Sequence, residues 1–551
     1  MIWPAPGCMY FSFVAMSVIP PLSSLVRRVR IQYTGRTVFF LGVGYFLLTV
    51  LLLATWAMPP GAPLVALPDA PDASRISLLH AGIASEVAPG LALLQQDTTP
   101  AISPETPDAA QRTMVPHPDS TPWFIAGQTN VIFQAHPGFH SPYQGVNSLH
   151  GAGEYKTSLL GTLYTGVQLG PLFHEHSTRY TGEFLFDVES AGGRGLSEAL
   201  GLAGFTNLDV VRNPNLGSTP YIARVELHGT FGLTDEMVTG ERTPNGLAIK
   251  VPTRRFDLRI GKMTLPDLFD VNQVLSDSHL QFTNWTVDNN GAWDYAADTR
   301  GYTYATVLEY TDHVWTARYG IALMPTVANG IHLDWALTRA RGQNMEFELR
   351  KGLLQFVHPA SAQVRPGVQR VLAYVNNAHM GTYREAVDAY LDHDDATPII
   401  SAHEHFGAVK YGFGYNTEQQ ISEHLRAAAR FGWNEGQHES FAYTEVDQTV
   451  LVGGAYDGSQ WSRPSDRFGL AFVSNAIKRD HQDYLADGGL GFILGDGRLN
   501  YGRENTMETY YNAHAWRGLF FALGLSHISS PGYNRDRGPV WVPSVRSHID
   551  F

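Results

Sequence analysis

Ala223–Leu233 reads ARVELHGTFGL. Taken at every second residue, it separates into Val225, Leu227, Gly229, Phe231 and Leu233 on one side and Arg224, Glu226, His228 and Thr230 on the other. A period of two marks a strand, whose successive side chains point to opposite faces. One face here is apolar and the other carries charge of both signs. That suits a wall with lipid on one side and water on the other. It also suits a soluble sheet with one buried face, so the rest of the chain has to decide.

The rhythm recurs downstream. In Arg254–Met263, Phe256, Leu258 and Ile260 oppose Arg255, Asp257 and Arg259. In Val314–Leu323, Trp315, Tyr319, Ile321 and Leu323 oppose Thr316 and Arg318. Ile331–Thr338 alternates Ile331, Leu333, Trp335 and Leu337 with His332, Asp334 and Thr338 and is expected to be a further strand. Val409, Tyr411, Phe413 and Tyr415 oppose Lys410, and Leu425, Phe431 and Trp433 oppose Arg426, Arg430 and Asn434. The pattern runs to the chain end, SVRSHIDF, where Val545, Ile549 and Phe551 fall at alternate positions. A terminal Phe551 preceded by Ile549 is the expected outer-membrane insertion signal. About 16 strands over 122–551 leave about 27 residues per strand and loop, which fits spans of ~9–11 residues with long outer loops. The expected fold is all-β, a transmembrane antiparallel β-barrel of about 16 strands.

The first 57 residues carry Arg27, Arg28, Arg30 and Arg36 and no acid, and Val38–Met58 is an uncharged apolar run. This predicts an export signal cleaved after Ala57, with a retained anchor as the alternative. Residues 58–121 are rich in Pro, Ala, Asp and Thr and read as a flexible linker. No later stretch could span a bilayer as a helix, so a membrane-embedded body must be a closed barrel. Mean hydropathy is −0.15, too polar for a helical bundle and ordinary for a barrel. The net charge is −13. The first 57 residues contribute +4, so the body carries −17. An acidic body excludes nucleic acid as partner and an anion pore as function. The only cysteine, Cys8, excludes an intrachain disulfide.

Catalytic and metal patterns are missing. There is no HExxH, no GxSxG and no GxGxxG. His174-Glu175-His176 and His403-Glu404-His405 put two histidines on one strand face but have no third ligand at recognisable spacing. No metal, cofactor or enzyme activity is expected.

Five longer stretches carry a family resemblance: Gly127–Leu149, Phe269–Tyr302, Phe431–Gln448, Trp461–Tyr511 and Ser530–Phe551. They include GAWDYAADTRG, WSRPSDRFGLAFVSN and GGLGFILGDGRLNYGRENTMETYY. Together the chain resembles the carbohydrate-selective porins of Gram-negative bacteria, the OprB type. The resemblance implies about sixteen strands, an outer-membrane location and passive diffusion of sugars such as glucose. Barrel-assembly machinery, outer-membrane lipid and lipopolysaccharide are the surroundings it implies. Residues 189–219 depart from it, being Gly-rich with a short helix expected at Ser197–Leu202, and their place in the pore stays open.

A neutral sugar needs donors and acceptors to replace its hydration, and flat apolar surface for its CH faces. Arginine facing Asp or Glu supplies both roles to each hydroxyl. The candidates in the matched stretches are Trp293, Asp294, Asp298 and Arg300; Trp461, Arg463, Asp466 and Arg467; Arg503 and Glu504; and Arg535 and Arg537. For each, the competing reading is an ion pair tying a loop to the barrel wall. Two other functions compete: a polysaccharide-exporting barrel, and a secreted glycan-binding β-protein.

Overall fold

The alternation places apolar rows outward and charged rows inward. The computed structural model describes residues 112–171, 179–211, 218–357 and 365–551. The expected export segment, most of the Pro-rich lead and His174-Glu175-His176 lie outside them. The strands in chain order are β1 (Trp123–His136), β2 (Glu154–Pro171), β3 (Tyr180–Gly193), β4 (Tyr221–Gly232), β5 (Met237–Thr239), β6 (Lys250–Pro252), β7 (Arg255–Met263), β8 (Thr303–Thr311) and β9 (Trp315–Ala322). They continue with β10 (Arg341–Leu349), β11 (Gly367–Gly381), β12 (Glu404–Gln420), β13 (Leu425–Asn434), β14 (Gln448–Gly458), β15 (Arg463–Ala476), β16 (Glu504–Trp516), β17 (Leu519–Ser529) and β18 (Val540–Asp550). All but β5 and β6 form one closed antiparallel barrel of sixteen strands; those two pair as a separate hairpin. β1 closes the ring on β18, from Gln128 opposite Asp550 to Gln134 opposite Ser544. Closure leaves no edge, as lipid requires. Among the described residues no helix is long and apolar enough to cross a membrane; the chain crosses with strands.

On β4, Arg224, Glu226, His228 and Thr230 are buried inside the barrel, while Ile222 and Leu227 are exposed outside. β7, β12 and β13 divide the same way. The apolar rows face outward, not one another, which a soluble sandwich would not allow. Rings cluster outside at both ends. Phe256, Tyr310 and Trp315 form one group, and Tyr456, Trp461 and Tyr511 another, at the end where β1 starts and β18 stops. Phe133 with Tyr155 and Tyr411 with Trp433 mark the opposite end. Two such girdles bracket the apolar band of an outer-membrane barrel.

One expectation fails. Ile331–Thr338 is not a strand. β9 ends at Ala322, and the return strand begins at Arg341. Between them the Asp334 carboxylate accepts from Ala336 N (2.8 Å) and Arg339 Nε (3.1 Å), and Arg339 N donates to Ala336 O (2.9 Å). Those local bonds turn the backbone where the alternation reads as extended. The strand that stands there instead, β10, keeps Asn344, Glu346 and Glu348 inward.

The segments at the two ends differ. The ends joining β8–β9, β12–β13, β14–β15 and β16–β17 are turns of two to four residues, and the start of β1 and the end of β18 lie with them. In outer-membrane barrels this is the periplasmic end. The opposite, extracellular end carries long loops, and two stretches of them, 194–211 and 264–302, fold into the barrel. Leu202, Phe205, Phe269, Phe282 and Trp293 from these loops are completely buried. The segments also bond to each other: Trp285 N donates to Phe205 O (2.8 Å) and Asn284 Nδ2 to Gly204 O (2.7 Å). Within 189–219, whose place the sequence leaves open, residues 189–193 end β3 and the described stretch 194–211 joins the filling of the barrel. Its short helix is a 3-10 turn at Leu196–Ala199.

Candidate functional site

The inward faces of β8 to β13 alternate in sign across the wall. Glu309 meets Arg318 at 2.7 Å, and Arg318 also bonds Glu346. Arg370 joins Glu348 (2.9 Å) to Glu418 (3.2 Å), and Arg426 lies 3.9 Å from Glu418. On β3, β4 and β7, His228 bridges Glu183 (3.2 Å) and Asp257 (3.1 Å), and Arg259 bonds Glu226. Burial of such charges is tolerated because each has an opposite partner.

Other inward charges hold the loops. Arg430, wholly buried, meets Asp270 at 3.0 Å and donates to Val287 O (2.7 Å). Glu508 accepts from Thr283 N (2.7 Å) and Asn284 N (3.0 Å). Glu346 accepts from Asp270 N (2.7 Å), and Arg546 donates to Ser278 O and Gln281 O (both 2.9 Å). The loop 264–302 is thus stapled to the wall on many sides. Between the staples Gln273, Asp277, His279 and Leu280 remain half-buried, as do Arg426 and Arg467 of the wall. The Arg467 guanidinium makes no hydrogen bond or ion pair among the described residues. His279 lies 3.4 Å from Asp209 and stacks on His548 of β18, with ring centroids 5.8 Å apart. Acid, guanidinium and imidazole groups therefore stand half-buried on the inward loop and on the wall beside it.

The sequence candidates fall into three groups. Trp293 is completely buried, with Nε1 donating to Asn344 Oδ1 (2.9 Å). Asp294 accepts from Phe441 N (2.9 Å) and Ala442 N (2.8 Å) and meets Lys410 at 3.2 Å. Asp298 closes its own turn by accepting from Arg300 N (2.9 Å) and Tyr302 N (3.1 Å), while Arg300 lies 4.1 Å over the Tyr221 ring. Glu504 accepts from Ala203 N (3.0 Å), Gly204 N (2.6 Å) and Gly532 N (2.8 Å). Arg537, buried, bonds Asp496 and Leu149 O. Arg503 donates to Ser474 Oγ (2.7 Å), and Arg535 is exposed at the extracellular rim. This first group ties loops and their flanking strand ends together. The second group lies at the periplasmic end: Trp461 stacks outside on Tyr456, and Arg463 bonds Asp466, which also accepts from Tyr511. Only Arg467 forms the third group, inward and open. Sequence reasoning did not single out Asp277, His279, Glu418, Arg546 or His548. For the strand residues among them the alternation was the available signal.

Among the described residues no group of three or more His, Cys, Asp or Glu could hold a metal ion. His403 pairs with Asp395 and His405 with Glu385, each at 2.9 Å.

The profile of the carbohydrate-selective porin, OprB family, matches residues 179–551. The chain belongs to this family. Its barrel is similar to the high-pH structure of Pseudomonas putida OprB, with a TM-score of 0.57, 16% identity, and coverage of 78% of this chain and 94% of that one. The outer membrane channel DcaP of Acinetobacter baumannii matches at 0.40, with 10% identity, 78% of this chain and 97% of that one. Comparison with individually curated proteins gives no match. This OprB-family protein is an outer-membrane porin for carbohydrates, and its fold and family are those of channels.

At the extracellular mouth of the porin, Glu439 lines a cavity of about 580 Å³ with Glu404 and Glu445. Burial, then repulsion by Glu404 and Asp294, pushes its carboxyl up to about 8, against relief from Gly381 N and Lys410. A carboxyl raised in the folded state stabilises fully below its free value of ~4.5, and that stabilisation is lost as pH rises to about 8. The purified porin should therefore lose thermal stability between pH 5 and pH 8, and Glu439→Gln should flatten that slope. Melting curves with the same pH slope in both proteins would refute this.

Proposed function

We propose that small neutral sugars, monosaccharides such as glucose foremost, diffuse passively between the Gln273–Leu280 stretch and the wall carrying Arg426 and Arg467. The observation that carries this reading is a wall of half-buried guanidinium groups facing an acid-bearing loop. A sugar hydroxyl accepts from the first and donates to the second, so hydration is replaced without a net charge requirement. His279 and His548 add flat surface. A lumen of mixed sign disfavours charged solutes of either kind, because each meets like charge on one side. Phe551 and Ile549 sit at the closing seam, with Phe551 N donating to Gly127 O (2.7 Å). We take them as the signal read by barrel-assembly machinery, with lipid and lipopolysaccharide around the finished barrel.

The test is liposome swelling with the purified protein. Swelling should be fastest for monosaccharides, slower for disaccharides, and slower again for charged solutes of monosaccharide size. Equal rates for neutral and charged solutes of one size would overturn the assignment.

A further inference from the structure

The hairpin of β5 and β6 leaves the periplasmic rim between β4 and β7, yet its tip does not extend into the periplasm. The tip is the tight turn Thr243–Gly246, in which each end residue donates its N–H to the other's carbonyl (2.9 and 3.2 Å). Every wall partner of the tip faces the lumen. Arg224 Nη1 donates to Asn245 Oδ1 (2.6 Å), and Arg259 Nη2 donates to Asn245 O (2.9 Å). Leu247 N donates to both oxygens of Glu183 (3.1 Å each), and Gln168 Nε2 donates to Leu247 O (2.9 Å). The Leu247 side chain is completely buried, against Phe124 and Leu185 of the inner wall. Arg259 stands four residues inside β7, on the order of 13 Å of strand from the rim. The residue leading into the tip is strapped as well: Arg242 donates to Pro118 O (3.0 Å) and Trp123 O (3.1 Å). Arg224 also bonds Asp267, at the root of the extracellular loop 264–302. One guanidinium therefore joins the loop that enters from outside to the hairpin that enters from the periplasm.

We propose that this hairpin tip is a second, inner constriction of the pore, anchored by Asn245 and Leu247, with Gly246 at its free side setting its width and so the size of sugar that passes. The inference rests on the transport reading above and adds a specificity-determining element to it. Asn245 and Leu247 anchor the tip, and Gly246 presents its free side. A β-carbon built on Gly246 meets nothing within 4 Å, so a side chain placed there projects into open space. A tip held by at least four directed hydrogen bonds is a fixed narrowing, not a trailing loop.

Two variants of opposite sign test this in planar bilayers, with potassium chloride conductance as the readout. Ion conductance needs no sugar passage, so failure here is distinguishable from failure of the sugar assignment, which swelling of the parent protein reads. Gly240 N donates to Ile249 O (2.8 Å), so residues 241–248 can be replaced by two glycines as a short turn. That variant should raise conductance about two-fold and admit disaccharides faster, because pore diameter sets both. Gly246→Trp should lower conductance to about half or less, for the same reason. Gly246→Trp decides the question if the shortened hairpin does not fold: a folded Gly246→Trp barrel with the parent's conductance overturns the proposal. A shortened barrel with the parent's conductance and size cut-off overturns it equally.

Discussion

Arg430→Ala is expected to raise single-channel conductance at least about two-fold and to abolish the discrimination between mono- and disaccharides. Arg430 is the central staple of the inward loop. It meets Asp270 at 3.0 Å and donates to Val287 O (2.7 Å), Asp270 O (3.1 Å) and Ser276 Oγ (3.2 Å), so it grips both ends of the segment that narrows the lumen. Truncation leaves the Asp270 carboxylate buried without its cation, which costs about 3–5 kcal/mol. Asp270 relieves that by taking up a proton or by leaving its site, and either change removes the ion pair that fixes the loop. Its other anchors resist: Phe282 packs edge-on against Tyr510 with centroids 4.9 Å apart, and Trp285 against Tyr443 at 4.8 Å. The expected product is therefore a folded barrel with a loosened loop. Arg430→Lys restores the charge but not the fork that reaches Val287 and Ser276 together, so it should recover part of the parent behaviour. Parent conductance in a folded Arg430→Ala barrel would show that the loop is held elsewhere.

The barrel wall was legible because lipid imposes one uniform demand on every strand. Ala223–Leu233, Arg254–Met263 and the chain end all alternate for that reason, and the structure divides each as its sequence does. Ile331–Thr338 alternates too, but Asp334 turns it through hydrogen bonds that a two-residue period cannot express. The pore was far less legible. Arg463 and Arg467 share one short motif, yet Arg463 is spent on Asp466 at the periplasmic rim while Arg467 stands half-buried on the inward face of β15. Arg426 and Arg430 share one face of β13 and differ only in what arrives from elsewhere: the loop 264–302 covers Arg430 completely and leaves Arg426 half-buried. Asp294 and Glu504 looked like pore acids because they sit in charged, aromatic loop sequence. Each instead collects backbone N–H groups from another loop, contacts separated by 147 and 301 residues in the chain. Sequence periodicity reports which face a strand residue takes. It does not report which inward residues the long loops will cover.

That distinction fixes the second large effect. Arg426→Ala combined with Arg467→Ala should slow glucose-driven swelling about five-fold or more, since roughly 1 kcal/mol lost per hydrogen bond to the solute corresponds to that factor. It should also shift ion selectivity toward cations, because two positive charges leave a lumen whose acids remain. The barrel itself should be unharmed, in contrast to Arg430→Ala. Arg467 holds no described partner, and Glu418 keeps Arg370 at 3.2 Å when Arg426 is removed. No buried carboxylate is stranded, so the penalty that drives loop release is absent here. Conductance should accordingly change little while selectivity and sugar flux change strongly, a split that a merely structural role would not produce. Replacing both residues by lysine tests the chemistry further: charge and ion selectivity should return, while sugar flux returns only in part, because an ammonium cannot offer a hydroxyl the parallel donors of a guanidinium. Unchanged glucose flux in the double alanine variant would place the sugar path away from this wall.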